Sequence, residues 1–206
     1  MIKKIDLVIV GLGYIGLPTA AIIADKGLRV HGVDTNSTLV KNLKNHNFKF
    51  SEPGLKQMVE KVIRNGQLTV STKAQMSSNY LIVVPTPFRE NREPNLDYVF
   101  SAVDGLINIL SKNDLIIIES TCPVGTTEKV FEYINNLRPD LNKEFNIAYC
   151  PERVIPGNTL YELIHNDRVI GGINESSTKL ALNFYKKYVK GSLHGTNSKI
   201  AEMCKL

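Results

Sequence analysis

Short apolar runs rich in β-branched residues alternate along this chain with longer stretches in which apolar residues recur every three or four positions. Leu7 to Val10 is such a run, closed by Gly11. Leu28 to Asp34, Leu68 to Val70, Tyr80 to Val84, Leu115 to Glu119 and Asn146 to Cys150 follow it. The run Leu7 to Val10 reads as a parallel strand covered on both faces, and the others read as further strands. Helical periodicity predicts helices over 14–26, 37–44, 54–64, 96–110 and 125–137, with Gly27 as a left-handed stop and Asn65-Gly66 ending another. Further on, 169–172 reads as a strand, 176–189 as a helix and 192–195 as a short strand. A last helix opens at Ser198, and no Gly, Asn or Pro closes it.

Strands alternating with helices at this rhythm predict an α/β fold, a doubly wound and mostly parallel Rossmann-like sheet with right-handed crossovers. Residues 1–197 are expected to form that domain, and 198–206 the start of a C-terminal helix that has been cut. Ligands of such sheets gather at the carboxyl ends of the strands. The loops 11–16, 85–87, 120–127 and 151–157, and Asp34 itself, all follow strand ends.

Composition narrows the ligand class. With 206 residues and 43% hydrophobic content, a sizeable core is expected. Twenty-five basic against 20 acidic residues give a net charge of +5. Without a clustered basic face, this suits a small anion and argues against nucleic acid. Lys3 and Lys4 ahead of an apolar stretch mimic an export signal, but Asp6 interrupts it, and no uncharged run is long enough for a bilayer. Cys122, Cys150 and Cys204 are an odd number without metal spacing, which predicts a reducing cytoplasmic setting and no metal site.

The chemistry starts at Gly11-x-Gly13-x-x-Gly16, between a strand and a helix. Gly11 serves the tight turn, Gly13 leaves room for a pyrophosphate, and Gly16 lets the helix pack closely on the strand. Asp34 ends the next strand eighteen positions past Gly16, where a ribose-binding carboxylate belongs, and it favours NAD over NADP. Pro85-Thr86-Pro87 fixes a rigid turn whose Thr86 offers a hydroxyl and an amide. Glu119 to Thr127 is a strand end leading to a second helix start with free amides, which a capping role for Thr126 or Thr127 explains nearly as well. In Cys150-Pro151-Glu152-Arg153, a carboxylate and a guanidinium sit side by side at a strand exit. They suit a water or hydroxyl and a phosphate, or are an ordinary solvated pair.

Together, Gly11 to Pro18, Asp34, Val84 to Pro87, Glu119 to Thr127, Tyr149 to Gly157 and Ala201 to Leu206 resemble the nucleotide-sugar 6-dehydrogenases, in order and over the whole chain. The resemblance implies oxidation of a UDP-sugar's C6 alcohol to a carboxylate by two NAD⁺, through a thiohemiacetal and a thioester on a cysteine. It implies NAD contacts at Tyr14, Ile15, Asp34, Thr86 and Thr127 beside the glycines, and substrate contacts at Arg153 and Val154. Lys205 would stabilise oxyanion charge or shuttle a proton, and Thr121 with Glu152 would position the hydrolytic water. A homodimer built around the central helix is implied for the whole protein.

The family's nucleophile lies in a Gly-Gly-x-Cys motif of a second domain, whereas Gly171-Gly172 is followed here by Ile173-Asn174. Cys150 beside an acid is a weak local substitute. Cys204 adjoins Lys205 on a helix and points about 100° away from it. NAD binding without turnover is therefore expected of these residues. Two other readings stay open: a non-catalytic NAD-sensing module, and a β-hydroxyacid or 6-phosphogluconate type dehydrogenase whose lysine acts without a thiol.

Overall fold

A computed structural model describes residues 4–48, 50, 52–90 and 92–206. The first strands are β1 (Leu7–Val10), β2 (Val30–Val33), β3 (Leu68–Ser71), β4 (Asn79–Ile82), β5 (Leu115–Ile118) and β6 (Asn146–Tyr149). They pair in parallel, and β7 (Arg168–Gly172) and β8 (Leu193–Asn197) extend the sheet to the order β3-β2-β1-β4-β5-β6-β7-β8. The order reverses between β1 and β4, and their carboxyl ends open the crevice expected of a doubly wound sheet.

Alternation along the strands explains why both faces are covered. Leu7, Ile9, Leu81 and Ile117 belong to one apolar cluster, whereas Val8, Tyr80, Ile82, Ile116 and Ile118 belong to the other. On the first face lie α1 (Gly16–Asp25), α3 (Leu55–Arg64) and α7 (Glu175–Tyr185), with α6 (Thr159–His165) against α1. The second face carries α4 (Asp97–Asp104), α5 (Thr126–Leu137) and α8 (Ser198–Met203), while α2 (Ser37–Lys44) flanks β3. Every residue of α1 from Gly16 to Ala24 is buried, as befits a helix apolar on all sides. Its Pro18 sits in the first turn, where the missing N–H has no partner to lose.

The structure corrects one expectation and adds two features that the sequence reading did not contain. The helix expected over 96–110 stops at Asp104, and turns carry the chain from Gly105 through Ile109. Helix α6 was not expected from the sequence, because its polar start follows Pro156-Gly157 and its seven residues are too few to show a period. The second added feature is direction. Tyr149 pairs with Gly171 and Ala148 with Gly172 in antiparallel register, so β7 and β8 run against the other six strands. Helix α6 spans only about 10 Å at 1.5 Å per residue, so it cannot return the chain to the sheet's far end for a parallel strand. The reversal has a consequence for α8. It leaves Asn197, the register partner of Gly172, and runs back along the sheet to bring Lys205 against Glu152.

Candidate functional site

The glycine turn has the geometry its sequence calls for. Gly11 has φ +97°, and a Cβ there would lie 2.2 Å from the Val83 carbonyl oxygen. At Gly16 a Cβ would lie 1.8 Å from the Gly11 oxygen, so the helix can approach the turn only without a side chain. A Cβ on Gly13 meets nothing within 4 Å. Gly13 therefore leaves open space at the turn, as the glycine pattern requires where a pyrophosphate is to approach. Ile15 is half-buried beneath the turn.

Asp34 stands at the end of β2, and its Oδ2 accepts from the Leu12 amide at 2.9 Å while Oδ1 accepts from the Asn36 amide at 2.8 Å. The carboxylate is therefore tied to the glycine turn itself. Across the crevice, the half-buried Thr86 lies between two prolines past β4. The Val84 amide donates to Ser120 Oγ at 2.9 Å, fixing the β4 exit to the β5 exit.

Past β5 the structure corrects the expectation of free amides. Gly125, at φ +93°, leads into α5, and Glu202 of α8 fills the helix start. Its Oε2 accepts from the Gly125 amide at 2.6 Å, and its Oε1 accepts from the Thr127 amide at 2.7 Å and the Thr127 hydroxyl at 2.6 Å. Burying a carboxylate costs several kcal/mol, and three donors plus the positive end of the helix offset it. Thr127, expected at the cofactor, is fully buried with both its donors committed to Glu202. Thr126 donates to the Pro123 carbonyl instead.

The β6 exit gathers the remaining predicted residues. Glu152 Oε1 accepts from the Val154 amide, and Lys205 Nζ donates to the Glu152 carbonyl and lies 3.9 Å from its Oε2. A lysine from the chain's last helix and the predicted carboxylate are thus brought together. Thr121 is exposed at the neighbouring exit, three residues past Ile118, as Glu152 is three past its register partner Tyr149. Arg153 is exposed and donates to the Asp167 carbonyl at 2.9 Å, and Val154 packs on the core.

Beneath these loops lies a buried polar floor. The Tyr185 hydroxyl donates to Glu119 Oε1 at 2.6 Å, and the Arg168 guanidinium lies 5.9 Å from the Tyr185 ring centroid. Burial pushes the Glu119 carboxyl above its ordinary range, against the pull of Arg168 and Tyr185. Cys150, fully buried beside them, is pushed by burial to about 12, so at neutral pH it is a thiol and no nucleophile. Cys204 is exposed.

Sequence reasoning missed Glu52 and Glu202, and did not foresee that Glu119 and Ser120 turn inward to Tyr185 and the Val84 amide. Glu202 left a trace: Ser198, Ala201, Glu202 and Lys205 form an i, i+3, i+4, i+7 stripe that faces inward despite its charges. Among the described residues, no group of three or more His, Cys, Asp or Glu is placed to hold a metal, and no helix is long and apolar enough to cross a membrane.

Comparison with known proteins agrees with this geometry. Residues 5–189 match the model of the UDP-glucose/GDP-mannose dehydrogenase family, NAD binding domain. The chain is 46% identical to the UDP-N-acetyl-D-mannosamine dehydrogenase of Methanococcus maripaludis, over all of this chain and 47% of that protein. It superposes on the UDP-N-acetyl-mannosamine dehydrogenase of Staphylococcus aureus with a TM-score of 0.93 at 38% identity, covering 98% of this chain and 50% of the other. The corresponding enzyme of Pyrococcus horikoshii gives 0.92 at 36%, covering 98% and 49%. The chain spans about half the length of the curated relatives it matches. With its glycine turn, the Asp34 carboxylate at the end of β2 and this match over residues 5–189, the chain belongs to the UDP-glucose/GDP-mannose dehydrogenase family, of which it is the NAD binding domain.

Proposed function

We propose that this domain serves an enzyme that oxidises the C6 alcohol of UDP-N-acetyl-D-mannosamine to the carboxylate. The observation that carries the reading is Lys205 held against Glu152, on the sheet edge that also bears the glycine turn. The identity to UDP-N-acetyl-D-mannosamine dehydrogenases supports the choice of sugar. Overall, R–CH₂OH, water and two NAD⁺ give R–COO⁻, two NADH and three protons. Bound NAD⁺ supplies the hydride acceptor.

Gly11, Gly13, Gly16, Tyr14, Ile15, Asp34 and Thr86 hold and orient the dinucleotide, while Thr127 holds Glu202 and with it the last helix. Arg153 and Val154 bear on the substrate. Lys205 supports alkoxide character at C6, and Glu152, with Thr121 nearby, receives the proton of the attacking water. The lysine ammonium beside the Glu152 oxygens keeps that carboxylate oriented. A non-catalytic NAD sensor has no use for this pair. We place the reaction in the cytoplasm, in keeping with three free cysteines. We also propose a homodimer in the whole protein, in keeping with exposed Ile200, Met203 and Leu206 along the last helix.

The test is an NADH assay on the full-length gene product with UDP-N-acetyl-D-mannosamine, UDP-N-acetyl-D-glucosamine and UDP-glucose. Two NADH per UDP-N-acetyl-D-mannosamine, with the other sugars slower, is expected. Preference for another sugar overturns the substrate, and a single NADH per sugar overturns the reaction.

A further inference from the structure

Glu52 belongs to no motif considered so far, yet it accepts more hydrogen bonds than the other acids described above. Its side chain is buried just ahead of α3, in the short segment Glu52-Pro53-Gly54. Oε1 accepts from the Thr159 amide at 2.6 Å. Oε2 accepts from the Thr159 hydroxyl at 2.9 Å, the Gly157 amide at 3.1 Å and the Tyr14 hydroxyl at 3.1 Å. The Tyr14 hydroxyl also lies 2.8 Å from Thr159 Oγ1 and accepts from the Gly157 amide at 3.3 Å.

Three segments far apart in sequence therefore meet on one carboxylate. Tyr14 lies inside the glycine turn, between Gly13 and Gly16. Gly157 and Thr159 close the β6 exit that begins with Glu152, Arg153 and Val154. Burial pushes the carboxyl upward, but the donors from Thr159, Gly157 and Tyr14 prevail and hold it below the usual carboxylate range. Glu52 is thus an anion, and its hydrogen bonds are charge-assisted. Tyr14 is the one donor that is not part of the β6 exit.

We propose that Glu52 is a positioning residue that yokes the cofactor turn to the substrate-side loop, so that a dinucleotide on the glycine turn fixes the loop carrying Arg153 and Val154. This rests on the functional reading above. A tyrosine held at its hydroxyl by the opposite loop cannot shift with the dinucleotide unless that loop shifts as well. A purely local role, capping the start of α6, would need Thr159 and Gly157 but not Tyr14.

Because the chain contains no tryptophan, Ile155→Trp places a single reporter on the exposed part of the β6 exit. NAD⁺ is titrated into the 206-residue I155W chain, alone and with Glu52→Gln or Tyr14→Phe, while calorimetry reads binding and hydrogen exchange reads the Gly157 and Thr159 amides. In I155W, NAD⁺ binding is expected to raise the tryptophan anisotropy. With E52Q, amide protection falls, NAD⁺ binds about tenfold more weakly, the size of one lost charge-assisted hydrogen bond, and the anisotropy no longer responds at saturation. Y14F keeps the amide protection, because Glu52 still caps Thr159, yet loses the anisotropy response. A folded Y14F or E52Q chain that binds NAD⁺ with the full anisotropy response overturns the yoke and leaves the cofactor reading intact. Failure of I155W and of the unsubstituted chain to bind NAD⁺ at all overturns the cofactor reading, and the yoke with it.

Discussion

Two strand-to-helix turns on one edge of this sheet, after β1 and after β5, start alike and end differently. Each has a glycine in left-handed backbone, Gly11 at φ +97° and Gly125 at φ +93°, and neither following helix has a side-chain cap of its own. At the first turn, Asp34 takes the Leu12 amide, and among the described residues no side chain reaches the amides of Gly13, Tyr14 and Ile15. At the second, Glu202 has put its carboxylate on the amides of Gly125 and Thr127. A helix start attracts anions wherever it occurs, and the chain's own carboxylate decides whether a ligand can answer. The occupied turn has been put to another use: it anchors α8, three residues before Lys205.

Breaking the first turn should have the largest effect. Gly16→Ala puts a methyl where only 1.8 Å separates it from the Gly11 oxygen, and both partners are backbone that cannot step aside. We expect a loss of about 4 kcal/mol in urea unfolding, or no folded protein. A stability near that of the parent would mean that the close approach of α1 to the turn is wrong.

Emptying the second turn ranks next. Glu202→Ala strands three donors, two of them fully buried on Thr127, and a loss of about 3 kcal/mol is expected. The variant also exposes the anion site that the parent hides, so sulfate should raise its melting temperature more than that of the parent. Equal response to sulfate would show that the α5 start is not an anion site even when open.

A milder change sharpens the assignment of the first turn. Asp34→Ser removes the ribose-side carboxylate together with the acceptor for the Leu12 amide. NAD⁺ affinity should fall about tenfold, or about 1.4 kcal/mol, with NADP⁺ affected less. An unchanged preference between the two dinucleotides, measured by calorimetry, would remove Asp34 from the ribose.

The contrast between the turns also explains what the sequence could and could not convey. The glycine spacing, Asp34 and the strand–helix rhythm are local, and the parallel half from β1 to β6 follows from them. Lys205 and Glu152 were placed by resemblance, and their meeting depends on β7 and β8 reversing direction, which no periodicity signals. Glu202 and Thr127 are 75 residues apart, and Glu52 and Thr159 are 107 apart. Neither pair forms a pattern in a window of any ordinary length, because a carboxylate on a distant helix looks like any solvated acid. Thr127 was placed at the cofactor by resemblance, and Glu202 takes both its donors. The Thr127 amide is free in the sequence and taken in the fold. Helix α6 escaped notice because its start depends on Glu52 and not on a local cap.

We expect the open turn, and not the filled one, to receive the dinucleotide. A calorimetric titration of NAD⁺ against the 206-residue chain and its Gly13→Ala variant tests it most directly. One NAD⁺ should bind per parent chain, with affinity at least about tenfold lower in the variant at an unchanged melting temperature, since the added methyl meets no protein atom within 4 Å. Equal affinity in the two proteins, or no binding by the parent, would contradict it.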